Sequence, residues 1–89
     1  MDDEPPRIEF PCEDYPIKVI GESGDTLRAS VVAIVRTHDQ TFEEATVVEQ
    51  RSRAGNYTSV RLCIRATGEP QLKALHADLM AHPLVRLVL

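Results

Sequence analysis

Tyr57-Thr58-Ser59-Val60-Arg61-Leu62-Cys63-Ile64-Arg65-Ala66-Thr67 carries the clearest periodicity in the chain. Val60, Leu62, Ile64 and Ala66 alternate with Ser59, Arg61, Cys63 and Arg65. Successive side chains of a strand point to opposite faces, so a period of two predicts a strand with one dry face and one wet, arginine-bearing face. Just upstream, Gly55-Asn56 marks a hairpin, and Glu44 to Ser52 reads as its partner strand. Parity then selects the loop. A two-residue loop would oppose Leu62 to Glu49 and Val60 to Arg51, bringing two charges onto the apolar face. Shifting the register by one opposes Leu62 to Val48 and Ile64 to Thr46. The expectation is therefore an odd loop, Ala54-Gly55-Asn56, or a bulge, with Val48 turned inward and Val47 and Glu49 outward.

Working outward, Tyr15 to Ile20 reads as a strand ended by Gly21. After a short loop in which Ser23 or Asp25 could cap, Leu27, Val31, Ile34, Val35 and His38 recur at helical spacing from Thr26 to His38. Its β-branched residues are poor helix formers, so burial of the stripe must hold this helix. Thr67-Gly68-Glu69-Pro70 opens a second helix, with proline in the first turn where its missing N–H costs little. Leu72, Leu75, Leu79 and Met80 form its stripe, and His82-Pro83 stops it. Leu84 to Leu89 is a final strand. The order is strand, helix, strand, strand, helix, strand. Two amphipathic helices covering one face of a four-stranded antiparallel sheet give an α+β, ferredoxin-like βαββαβ two-layer sandwich with the first and third strands central.

Charge separates the chain into two parts. The 89 residues carry a net charge of −4. Residues 1–14 hold six acids against Arg7, a balance of −5; residues 15–89 hold eight acids and nine bases, a balance of +1. Residues 1–14, with Pro5, Pro6 and Pro11, read as an acidic, largely flexible leader, and 15–89 as one domain. There is no Trp and only four aromatic residues, so the core must be aliphatic. Two cysteines, Cys12 and Cys63, make no disulfide framework, and the start has neither a basic nor an apolar signal region. The expectation is a cytoplasmic protein with no membrane segment.

Alternation places Ile17, Val19, Val48, Val60, Leu62, Ile64, Val85 and Leu87 under the helices. Lys18, Arg61, Arg65 and Arg86 then share the uncovered face with Cys63, Val47, Glu49 and Val88. These four bases are the candidate interaction face for a protein partner. A second candidate is the loop with Gly21, Ser23 and Gly24 before the first helix, where backbone N–H groups could accept a small carboxylate ligand. The apolar last strand lies at a sheet edge, which invites a homodimer or cover from Ile8 and Phe10.

Catalytic chemistry finds no support in the sequence. His38, His76 and His82 lack a tight ligand pair, so no metal is expected, and two distant cysteines cannot hold an iron–sulfur cluster. An acylphosphatase-like enzyme would want an arginine after the first strand, where Gly21-Glu22-Ser23-Gly24-Asp25 has acids. RNA recognition on this fold wants stacking rings where the third strand has Arg61, Cys63 and Arg65. Nucleic acid is thus disfavoured, although Arg51, Arg53, Arg61 and Arg65 leave phosphate binding open. No cofactor is expected.

Phe10-Pro11-Cys12 followed by Tyr15-Pro16-Ile17-Lys18-Val19-Ile20-Gly21, together with Gly55-Asn56-Tyr57-Thr58-Ser59-Val60, Ala66-Thr67 and Val85-Arg86-Leu87-Val88-Leu89, resembles the YbeD-like family of small bacterial proteins, across about residues 9–89. The resemblance implies an ACT-like domain and supplies no catalytic residues. It also implies a link to lipoate metabolism, because genes of such proteins often neighbour lipoate-attachment genes. The functional expectation is a non-catalytic regulatory or adaptor domain acting through protein contacts. An ACT-like sensor of an amino acid or carboxylate and a weak nucleic-acid binder are the alternatives.

Overall fold

The third strand keeps its period of two. In the computed structural model, which describes residues 10–89, β3 (Tyr57–Ala66) buries Thr58, Val60, Leu62, Ile64 and Ala66 and turns Arg61, Cys63 and Arg65 to solvent. Around it stand β1 (Cys12–Glu22), α1 (Leu27–His38), a 3-10 turn (Glu44–Thr46), β2 (Val48–Arg51), α2 (Glu69–Ala81) and β4 (Val85–Val88). The sheet order is β2-β3-β1-β4 with every pair antiparallel, so β1 and β3 are central as expected.

The core is aliphatic apart from Phe42. Val19 and Ile17 of β1 meet Val60, Leu62 and Ile64 of β3 beneath Leu27, Val31, Val32 and Val35 of α1 and Leu75 and Leu79 of α2. Helix α1 starts at Thr26 without a side-chain cap, so neither Ser23 nor Asp25 caps it. Burial of its valines therefore supports a helix whose local signals are weak. In α2, Leu72 is half-buried and Met80 exposed, so Met80 does not belong to the buried stripe. Gly21 lies where β1 passes closest to its neighbours: a Cβ there would stand 2.6 Å from the Leu84 carbonyl oxygen and 2.8 Å from a Leu27 methyl.

Three further sequence expectations are corrected. First, the hairpin loop is even, not odd. Ser52 donates to the Tyr57 carbonyl at 2.7 Å, leaving Arg53-Ala54-Gly55-Asn56 as the loop, with Gly55 at φ +78°, a backbone state that glycine adopts without strain. The register pairs Val48 with Arg61 and Glu49 with Val60. Val47 is therefore the buried residue, and Val48 is 58% exposed. The charge the parity argument sought to exclude does face the helices, but at an edge strand, where Arg28 of α1 reaches Glu49 at 3.4 Å. Second, β2 is shorter than expected, because Glu44–Thr46 coils into the 3-10 turn. Third, a register shift between Ile20 and Gly21 opposes Leu87 to Ile20 and Val88 to Val19. Leu87 is exposed and Val88 half-buried, the reverse of simple alternation, while Val85 is buried as expected.

Strand β1 begins at Cys12, three residues before Tyr15, and Cys12 pairs with Ala66. Residues 1–9, which include most of the acidic leader and Ile8, lie outside the described residues. Among the described residues no helix is long and apolar enough to cross a membrane.

Candidate functional site

Both helices pack on one side of the sheet, so among the described residues the other side is uncovered, and the registers fix its layout. Across the middle, Val48 of β2 opposes Arg61 of β3, which opposes Lys18 of β1. Lys18 in turn exchanges both backbone hydrogen bonds with Leu89, at 3.1 and 2.8 Å. The next row toward the hairpin runs Gln50, Ser59, Ile20, Leu87. Lys18 and Arg61 divide the face into two shallow concavities. One, of about 500 Å³, is walled by Pro16, Val48, Cys63 and Leu89. The other, of about 420 Å³, lies toward the hairpin and is lined by Gln50, Arg51, Arg53, Tyr57 and Ser59.

The four bases read from the sequence are not one cluster. Lys18 and Arg61 stand side by side in the middle, with Arg61 donating to the Gln50 side-chain oxygen at 3.4 Å. Arg65 sits at one end of the sheet and meets Glu13 at 3.3 Å. Arg86 sits at the other end and meets Glu22 at 3.0 Å. Seven residues of strand separate these levels, on the order of 20 Å. Each end is thus locally neutralised, and among the described residues Lys18 and Arg61 in the middle meet no acidic partner. Arg51 and Arg53, absent from that first set, join the middle pair through the hairpin. Their signal in sequence was the spacing of two bases immediately before the Gly55 turn.

The loop candidate is differently placed. Gly21 is inside β1, and its lack of a side chain serves the close approach to Leu84 and Leu27. Ser23 is tied to the hairpin, its hydroxyl 2.8 Å from that of Thr58 and its N–H donating to Asn56 at 3.0 Å. Gly24 is exposed, with open space where a Cβ would stand. The histidines also fall in separate places. His38 bonds Asp78, joining the two helices, while His82 accepts the Leu84 N–H at 3.2 Å. His76 stands with Lys73 beside an apolar groove of about 290 Å³ formed by α2, β1 and β4.

Asp39 was missed by sequence reading, and it bounds the open face on the β2 side. The chain leaves α1 there, and the carboxylate is buried against the end of β3. It accepts the Thr41 hydroxyl at 2.6 Å, the Thr41 N–H at 2.9 Å and the Arg65 N–H at 2.9 Å. Burial by itself would raise its pKa. Those hydrogen bonds and the nearby Arg65 guanidinium outweigh burial and hold it below the usual carboxylate value. Gln71 completes the arrangement, donating to the Arg65 and His38 carbonyls at 3.1 and 2.8 Å and accepting the Thr67 N–H at 2.8 Å. Beyond Val48, side chains of α1's end and α2 thus satisfy the edge of β3 that β2 has ceased to cover.

Comparison with solved structures agrees with this architecture. The solution structure of protein HP0495 from H. pylori superposes with a TM-score of 0.77 at 18% identity, covering 99% of this chain and 91% of that one. The ACT domain from the GTP pyrophosphokinase of Chlorobium tepidum gives 0.66 at 18% identity, covering 85% and 96%. At such identities the likeness establishes the fold, ferredoxin-like and ACT-like, and nothing finer. Sequence relatives are much nearer. A UPF0250 protein of Ectopseudomonas mendocina is 46% identical over 99% of this chain and 96% of its own length. One from Azotobacter vinelandii is 44% identical over the same shares. The model of a family described as protein of unknown function (DUF493) matches residues 5–89. The YbeD-like resemblance is thereby established, and the chain belongs to the DUF493 family of bacterial UPF0250 proteins.

Proposed function

We propose that this chain is a non-catalytic adaptor or regulatory domain that docks a protein partner on its open sheet face. The observation that carries the reading is the concavity walled by Val48, Cys63, Pro16 and Leu89 and bordered by Lys18 and Arg61. Val48 and Leu89 are more than half exposed, at 58% and 65%, on a face that neither helix covers. Exposed apolar side chains gathered around two cations, with no acidic side chain in the wall, suit a protein segment that presents apolar residues beside an acid. A lone salt bridge at such a rim adds little affinity, so the apolar wall supplies binding and the cations supply orientation. The lipoate link that the family resemblance implies makes lipoate-metabolism proteins the first partners to try.

Cys63 gives a direct test, because its thiol is exposed in the wall. A benzophenone attached to Cys63 in a Cys12→Ser background should photocrosslink one partner in the native host. Val48→Asp and Lys18→Glu/Arg61→Glu should each abolish that product while far-UV circular dichroism stays unchanged. A crosslinking pattern indifferent to both variants removes this face from the account.

A further inference from the structure

We propose that the second concavity, at the base of the β2–β3 hairpin, binds a small ligand bearing linked phosphate groups. Four cationic residues, Lys18, Arg51, Arg53 and Arg61, line it, Arg51 only at the rim, where the register opposes it to buried Thr58 on the helix side, and none of the lining residues is acidic. The fold creates this concentration of charge. Lys18 and Arg61 are directly opposed across β1 and β3, a pairing that repels unless an anion joins them. Arg51 ends β2, and Arg53 opens the four-residue loop above it. Elsewhere on the described residues arginines find acids: Arg28 has Glu44 and Glu49, Arg36 has Glu44, Arg65 has Glu13 and Arg86 has Glu22. Among the described residues, none of the four cations here has a carboxylate within ion-pair distance.

The chemistry of the wall selects phosphate. Guanidinium forks match phosphate oxygens two at a time, and three of the four cations are arginines. The remaining lining adds hydroxyl and amide groups from Tyr57, Ser59 and Gln50, which can donate to further oxygens. The volume, about 420 Å³, is that of a small-molecule site. Nucleic acid is the poorer fit. A polynucleotide presents phosphates along a track, whereas these bases are confined to one hollow on a chain of net charge −4. Glu22, opposite Tyr57 at the hairpin end, is engaged by Arg86, and Glu13 lies at the other end of the sheet with Arg65. The proposal is separate from protein docking, which shares Lys18 and Arg61 but not Arg51 and Arg53.

Calorimetric titration of the full chain with inorganic tripolyphosphate at low salt tests it through the unshared residues. One equivalent should bind, and Arg51→Gln/Arg53→Gln should weaken binding at least about tenfold, or 1.4 kcal/mol. Arg51→Lys/Arg53→Lys should recover part of the loss, which also shows that the folded hairpin is retained. Arg36→Gln/Arg65→Gln removes the same net charge from helix α1 and the far end of the sheet and should change affinity less than about twofold. Equal weakening by the two Gln pairs would reduce the effect to general electrostatics and overturn the site. So would an absence of binding up to about 1 mM, an affinity of only about −4 kcal/mol. A single-stranded oligonucleotide that binds more tightly per phosphate than tripolyphosphate would assign the hollow to nucleic acid and overturn the small-ligand reading.

Discussion

At the scale of single residues, Gly21 and Asp39 are constrained most tightly, for opposite reasons. Gly21 is required by space. A methyl group there would collide with the Leu84 carbonyl, which belongs to the backbone and cannot rotate away. Gly21→Ala should cost about 1–3 kcal/mol in urea unfolding, the usual penalty of overpacking. Gly24→Ala, three residues on in open space, should stay within about 0.5 kcal/mol. Similar losses at both would mean that the approach of β4 to β1 is looser than described. Asp39 is required by hydrogen bonding. Asp39→Asn sets an amide against the Arg65 N–H or forfeits a Thr41 bond, and should cost about 1–3 kcal/mol at pH 7. The sign of its pH dependence follows from a folded pKa below the unfolded one. The carboxylate's contribution is complete above the unfolded value, near pH 4, and is lost as pH falls through the lower folded value. The stability gap between wild type and Asp39→Asn should therefore narrow on acidification below about pH 4. A gap that widens there would contradict the arrangement.

At the scale of elements, the hairpin shows which parts of a sequence announce themselves. Strand β3 was legible because it is central, with β1 and β2 on either side and helices above, so every second residue must be apolar. Strand β2 was not, because the argument against Glu49 facing inward assumed a fully covered strand. At an edge, a long arginine from the helix above can meet the acid in partial solvent. The final strand was misread for a different reason: an irregularity between Ile20 and Gly21 reverses the faces of Leu87 and Val88, and no residue type signals it. The same distinction applies to the open face. Alternation along β1 and β3 gave the Lys18–Arg61 pair, whereas Arg51 and Arg53 join it through a loop length that sequence misjudged. The corrected register is testable by neighbouring substitutions. Val47→Ala should cost about 1–2.5 kcal/mol and Val48→Ala less than about 0.5 kcal/mol, both read from urea midpoints. The register first expected from the sequence requires the opposite order.

At the scale of the whole molecule, one largely aliphatic core joins every principal element except the exposed edge strand β2, with α1 and α2 both seated on β1 and β3. No subset of strands or helices has a core of its own. Heat or urea should accordingly unfold the chain in a single step. Far-UV circular dichroism and tyrosine fluorescence, from half-buried Tyr15 and exposed Tyr57, should report coincident transitions at every denaturant concentration. Separate midpoints would indicate that the edge strands leave before the centre.

The placement of Asp39 also bears on how long the hairpin can be. Continuing the β2–β3 register would bring Thr46 opposite Cys63 and Glu44 opposite Arg65. Thr46 and Val47 are well suited to extended backbone, yet the chain coils at Glu44–Thr46 instead. The Arg65 amide that would have welcomed the advancing strand is already held by a carboxylate from the far end of α1, and its carbonyl by Gln71. One acid thus acts as a stop on a zipper, and freeing it would let the ladder run on toward Arg65 and draw the wall of the open face inward.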